Sequence, residues 1–188
     1  MPFKKNPLLF CLFLLPFNIQ AQLPTTDSLA REYVHCLKTN DKARFLKMFP
    51  TRNTMFELMQ ELVKAKNMEL QDSAKVDLVL DRMNILFAED FDEAVARLNQ
   101  LVPNPENLQY VSSAITDSGE EPPVASQHNY KGKIWVADGS KKYRITIIDI
   151  LQYKGSFYGA DFDGMQLEPQ PKKTTKPAAP VKKPVKRI

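Results

Sequence analysis

The chain has 188 residues, 43% of them hydrophobic and 26% charged, enough apolar material for one ordinary core. Its six glycines leave little from which to build a glycine-rich phosphate or dinucleotide loop, and neither motif is present. The formal charge of +4 is concentrated at the ends. Apart from Lys4 and Lys5 and a basic run at the C-terminus, the body carries a net charge of about −5, which excludes the basic face a nucleic-acid binder needs.

The start reads as an export signal. Lys4 and Lys5 form a positive lead-in, Leu8 to Phe17 is a short apolar run, and Ile19-Gln20-Ala21 offers a small residue for cleavage. A membrane-spanning helix needs about 20 apolar residues, and Pro16, Asn18 and Gln20 interrupt this run. Cleavage after Ala21 would leave Gln22 as the new N-terminus. A lipoprotein signal at Cys11 is disfavoured, because Phe10 stands where a small residue is wanted. Loss of the signal leaves Cys36 as the sole cysteine, so packing alone must stabilise the fold. Cys36, between Val34 and Leu37, reads as a core residue and not as a nucleophile, since its neighbour His35 points about 100° away on a helix.

The body, residues 22–169, is expected to form a single α+β domain. Asp27 is placed to cap a helix with Leu29, Tyr33 and Leu37 on one face, ending near Thr39-Asn40. A short helical piece with Phe45, Met48 and Phe49 follows, stopped by Pro50. Thr54 and Glu57 have capping-box spacing, ahead of a stripe of Met55, Leu58, Met59, Leu62 and Val63. Two more stripes are expected as separate helices: Val76, Val79, Leu80, Met83 and Phe87, then a second capped by Asp90 with Glu93 and carrying Phe91 to Val102. Pro103 and Pro105 end the helical half.

Beyond Pro105 the period changes. Tyr110 to Thr116 predicts a strand, Asp117 to Asn129 a loop, and Tyr130 to Ala137, Lys142 to Tyr153 and Ser156 to Phe162 a β-meander turned at Asp138-Gly139 and Lys154-Gly155. From residue 170 to 188 the chain is rich in Lys, Pro and Ala with nothing to bury, and is expected to stay disordered and extended.

Asp149 is the most informative candidate for chemistry. Strict alternation in its strand aligns it with Tyr143, Ile145 and Ile147, and a carboxylate buried among such residues would have a raised pKa and could serve as a general base. Tyr143 or Tyr158 would then supply a hydroxyl. The plainer reading is that Asp149 lies near the sheet edge, or that a bulge turns it to water. Asp161-Phe162-Asp163-Gly164 is similar to the opening of a calcium loop, but Met165 stands where a third ligand is needed and no closing Glu follows, so it reads as a strand end and turn. His35 and His128 belong to no zinc or triad motif, and no metal or cofactor is expected. Trp135, Tyr143, Phe157 and Tyr158 could line a pocket, though aromatics in a small sheet are more simply core.

The opening helix Leu29-Ala30-Arg31-Glu32-Tyr33, the unit Asn40 to Phe45, and the closing meander Lys133 to Val136, Tyr143 to Asp149 and Gly155 to Tyr158 together resemble the nuclear transport factor 2-like (cystatin-like) superfamily. That resemblance implies N-terminal helices wrapped against a curved antiparallel sheet, enclosing a filled core, a ligand pocket or an active site. Two extra helices between Lys75 and Val102 depart from the family's pattern, leaving a helical bundle with an appended meander as the alternative architecture. With no catalytic constellation evident, the sequence is read as an exported, non-enzymatic binding or accessory module of the bacterial cell envelope, secreted or periplasmic. Its basic tail would face an anionic envelope polymer or a membrane surface, without a transmembrane helix in the mature chain. The alternative is a small-molecule-binding cone or an isomerase-like enzyme using Asp149.

Overall fold

A computed structural model describes residues 23–66 and 73–169. The expected signal peptide and basic tail lie outside the described residues. Four helices, α1 (Thr26–Thr39), α2 (Lys42–Leu46), α3 (Arg52–Ala65) and α4 (Ser73–Leu101), precede five strands. The strands are β1 (Gln109–Asp117), β2 (Gln127–Asp138), β3 (Lys141–Tyr153), β4 (Ser156–Tyr158) and β5 (Asp161–Leu167). The architecture is α+β, with N-terminal helices packed on one antiparallel sheet.

α1, α2 and α3 begin where side-chain oxygens answer their orphaned N–H groups. Thr25, not Asp27, caps α1: its hydroxyl accepts from the Ser28 N–H at 3.1 Å, and the Ser28 hydroxyl accepts in return from the Thr25 N–H at 3.1 Å. Asp27 lies within the first turn and binds Arg31 at 2.7 Å. Asn40 closes the helix in the left-handed region, at φ 53°. Similarly α3 starts one turn before the expected box, with Thr51 accepting from the Thr54 N–H at 3.0 Å. Glu57 is thereby freed to pair with Lys154 at 2.8 Å. The two helices expected around Asp90 are one, α4, of 29 residues and about 43 Å. Phe87-Ala88-Glu89-Asp90 contains no glycine or proline to break it, and Asp90 sits in the helix interior.

The sheet runs β1-β2-β3, and β3 then serves two partners. Its first half, from Tyr143 to Ile148, pairs with β5, while Leu151 to Tyr153 pair with β4. The single strand expected over Ser156 to Phe162 is therefore split. Gly159 makes the break at φ 53°, where a Cβ would lie 2.4 Å from the Phe49 ring, so no larger residue fits. Asp161 to Gly164 lie within β5 and not in a turn. The loop before β2 ends at Ser126, because Gln127 to Asn129 already pair with β3.

One main core joins both halves. Leu29, Tyr33 and Phe45 from the helices meet Phe91 and Leu98 of α4 and Ile134, Ile145 and Ile147 of the sheet. A smaller cluster of Met55, Leu58 and Tyr153, supported by Leu80 and Met83, fixes α3 and the first half of α4 against the far end of the sheet.

Candidate functional site

Asp149 occupies the corner of β3. Tyr130 pairs with Ile150 and Gly132 with Ile147, so Ile148 and Asp149 together oppose Lys131, forming a β-bulge. Asp149 takes φ 52°, left-handed backbone that Asp tolerates better than branched residues do. The bulge shifts the alternation by one: Tyr143, Ile145 and Ile147 point inward before it, Ile150 after it, and Asp149 is exposed. The expected alignment of Asp149 with the apolar row is corrected accordingly. The partner switch from β5 to β4 falls at the same place, so this residue marks where the sheet turns.

The fold does not gather the three candidate side chains. Tyr143 is six residues from Asp149 along β3, about 20 Å in extended backbone, and is 1% exposed within the main core. Burial raises its pKa, with the Asp138 charge adding to the effect, and its buried hydroxyl has no partner among the described residues. Tyr158 lies across from Leu151 and packs against the smaller cluster. Of the meander's other aromatics, Phe157 is core and Trp135 half-buried.

A different carboxylate carries the perturbed environment. Asp161, at the start of β5 and half-buried, has its pKa raised to about 6, chiefly by desolvation and then by the charges of Asp90 and Asp149. Asp90 is raised by its own burial and by Glu93 and Glu89. Tyr33, fully buried with an unpartnered hydroxyl, feels both Asp161 and Asp90, though burial dominates its upward shift. The Tyr33 hydroxyl bonds to neither carboxylate, so the three groups share an electrostatic environment and not a hydrogen bond. Two clefts on the described surface lie away from this group. One, of about 470 Å³, is bordered by Lys38, Glu106, Gln109 and Asp138; the other, of about 370 Å³, by Lys141, Leu167, Glu168 and Pro169. Sequence reading does not find this group, because Asp90 reads as a helix cap and Asp161 as a strand end and turn. Only the packing of α4 on β5 brings them together.

Several other polar groups pair with one another, while the buried Gln127 Oε1 has no partner among the described residues. Glu61 accepts from Ser126 and, at 2.9 Å, from Tyr153, which holds its pKa below the ordinary value and ties α3 to the sheet. His35 contacts Arg44 at 3.0 Å, and Arg44 also binds Glu32 through two nitrogens. His128 stands in β2, 3.7 Å from Asp117. Cys36 is buried, and desolvation pushes its thiol up to about 12, the opposite of what a nucleophile needs. Among the described residues no cluster of three or more His, Cys, Asp or Glu has the arrangement of a metal site, and no helix is long and apolar enough to cross a membrane. The outer face of α4 keeps Leu78, Val79, Ile85 and Leu86 exposed, Leu78 at 71%.

Comparison with protein-family models, with curated proteins and with solved structures finds no match to this chain.

Proposed function

We propose that this protein is an exported, non-enzymatic binding or accessory module of the bacterial cell envelope, working through its surfaces. The observation that supports this reading is the filled space between helices and sheet. Tyr33, Phe45, Phe91, Tyr143 and Ile145 meet there with at most 1% exposure each, where an enzyme of the cone-shaped type would need room for a substrate. An isomerase-like mechanism with Asp149 as general base would need that carboxylate inside, and it faces water. Helices followed by a curled sheet are compatible with the nuclear transport factor 2-like architecture, here in a form whose cone is closed by side chains.

In this reading the Gln170–Ile188 segment, with seven basic residues on an acidic body, supplies attraction to anionic envelope polymers or headgroups. Cosedimentation of the mature chain with phosphatidylglycerol vesicles, and separately with purified cell-wall sacculi, tests it. Binding to one of these should be lost on deleting residues 170–188 and weakened at high salt, while the melting temperature stays nearly constant. Binding that survives the deletion would remove the tail from the proposal. Mass spectrometry of protein from its native host should find Gln22 at the N-terminus. An intact first segment on a cytoplasmic protein would overturn export.

A further inference from the structure

The sheet treats its edges unequally. On one side β4 is only three residues long and is covered by Leu23, whose carbonyl accepts from the Phe157 N–H at 2.9 Å. β5 carries Asp161 and Asp163, is irregular opposite Thr146 and Ile147, and gives its Met165 carbonyl to Arg97 of α4. Short length, charge, irregularity and cover are the usual means by which a sheet edge avoids pairing with another strand. The opposite edge, β1, has only an irregularity between Tyr110 and Ser112. It is nine residues long, and Gln109 to Thr116 contains no charge and no proline in a chain that is 26% charged. Among the described residues its backbone bonds only to β2, so the outer row of N–H and C=O groups is unpaired. Ser112, Ala114 and Thr116 are exposed beside it.

We infer that β1 pairs in antiparallel fashion with β1 of a second copy, joining two sheets into one across a twofold axis at Ser113. An unpaired ladder of donors and acceptors is matched by another extended strand. A second copy satisfies both edges at once and closes the assembly, because a twofold contact uses the same patch on each partner. The sequence suits self-pairing. Ser112 of each copy falls opposite Ala114 of the other, and Asp117, the nearest charge, falls toward the Gln109 end of the partner strand and not against its own counterpart. Like charges opposite one another, which would oppose such pairing, are absent from this alignment. A single strand pair of this length buries less than the roughly 800 Å² per partner of a standard interface, so dissociation in the micromolar range is expected.

Sedimentation velocity of the mature chain over a wide concentration series measures this directly, with hydrogen exchange of β1 amides as a second readout. The wild type should approach twice the monomer mass as concentration rises, and the β1 amides should become more protected in parallel. The variant Ser112→Lys with Ala114→Lys sets lysines opposite each other twice across the axis and should weaken association about tenfold or more. Ser112→Glu with Ala114→Lys sets opposite charges there and should restore it. Both positions are exposed, so the fold should persist; if the lysine pair does not fold, the wild-type exchange data still decide. A monomer at every concentration, or β1 protection independent of concentration, overturns the proposal. So does a dimer indifferent to the β1 pair but lost on Leu78→Gln with Ile85→Gln, which would place the contact on α4.

Discussion

Gly132 on β2 lies directly beneath Ile115 on β1. A Cβ at Gly132 would stand 2.7 Å from Ile115 Cγ1 and 2.5 Å from the Ala114 carbonyl oxygen. Ile115 fills the space that a side chain at Gly132 would take, and this lets it reach the main core from an edge strand. Gly132→Ala should therefore cost about 1–3 kcal/mol, because two of the three obstructing atoms, the Ala114 carbonyl oxygen and Ile115 Cα, are backbone and cannot rotate away. Urea titration checks this, and an unchanged midpoint would show that β1 yields without cost.

The corner at Asp149 makes a second prediction. Its φ of 52° suits Gly and Asn and penalises a β-branched residue by about 1–2 kcal/mol. Asp149→Gly and Asp149→Asn should leave the denaturation midpoint nearly unmoved, and Asp149→Val should lower it. Equal loss from all three would mean that the carboxylate, and not the backbone conformation, holds the corner.

Asp161 should make the fold less stable at neutral pH than in mild acid. Its folded pKa, about 6, lies above the ordinary aspartate value of 3.8, so folding favours the protonated carboxyl. The resulting penalty is absent below about pH 4, grows between 4 and 6, and is fully present above 6. Asp161→Asn should accordingly raise the melting temperature at pH 7.5 by a few degrees and change little at pH 4. The lowered carboxyls of Asp27, Glu61 and Asp77 act in the opposite direction, losing their stabilisation only as pH falls below the ordinary carboxylate range. A variant no more stable than wild type at pH 7.5 would indicate that solvent relieves the desolvation of Asp161.

Cys36 should be inert in the native state. Buried on α1, with its thiol pushed up to about 12, it should react with a thiol reagent only at the rate of unfolding, and promptly in denaturant. Fast native labelling would restore the nucleophile reading that burial argues against.

Periodicity alone placed much of this fold. The apolar residues of α1, α3 and α4 recur at helical spacing, and Asp138-Gly139 and Lys154-Gly155 mark two tight turns. Caps and breaks were less legible, since Thr25 and Thr51 compete with Asp27 and Thr54 on equal chemical terms, and an interior Asp90 looks like a cap until neighbouring turns are seen to continue. The orientation of Asp149 could not follow from alternation, because one extra residue in a bulge inverts every side chain beyond it. That bulge is set by pairing with β2, nearly twenty positions earlier in the chain. The same holds for Asp161 and Asp90, 71 positions apart in sequence, whose coupling arises only where α4 crosses β5. Local preference determines which segments become helix or strand. Which carboxylate faces water, which is desolvated and which strand edge stays open are decided by long-range packing, because desolvation and pairing depend on neighbours that only the tertiary fold supplies.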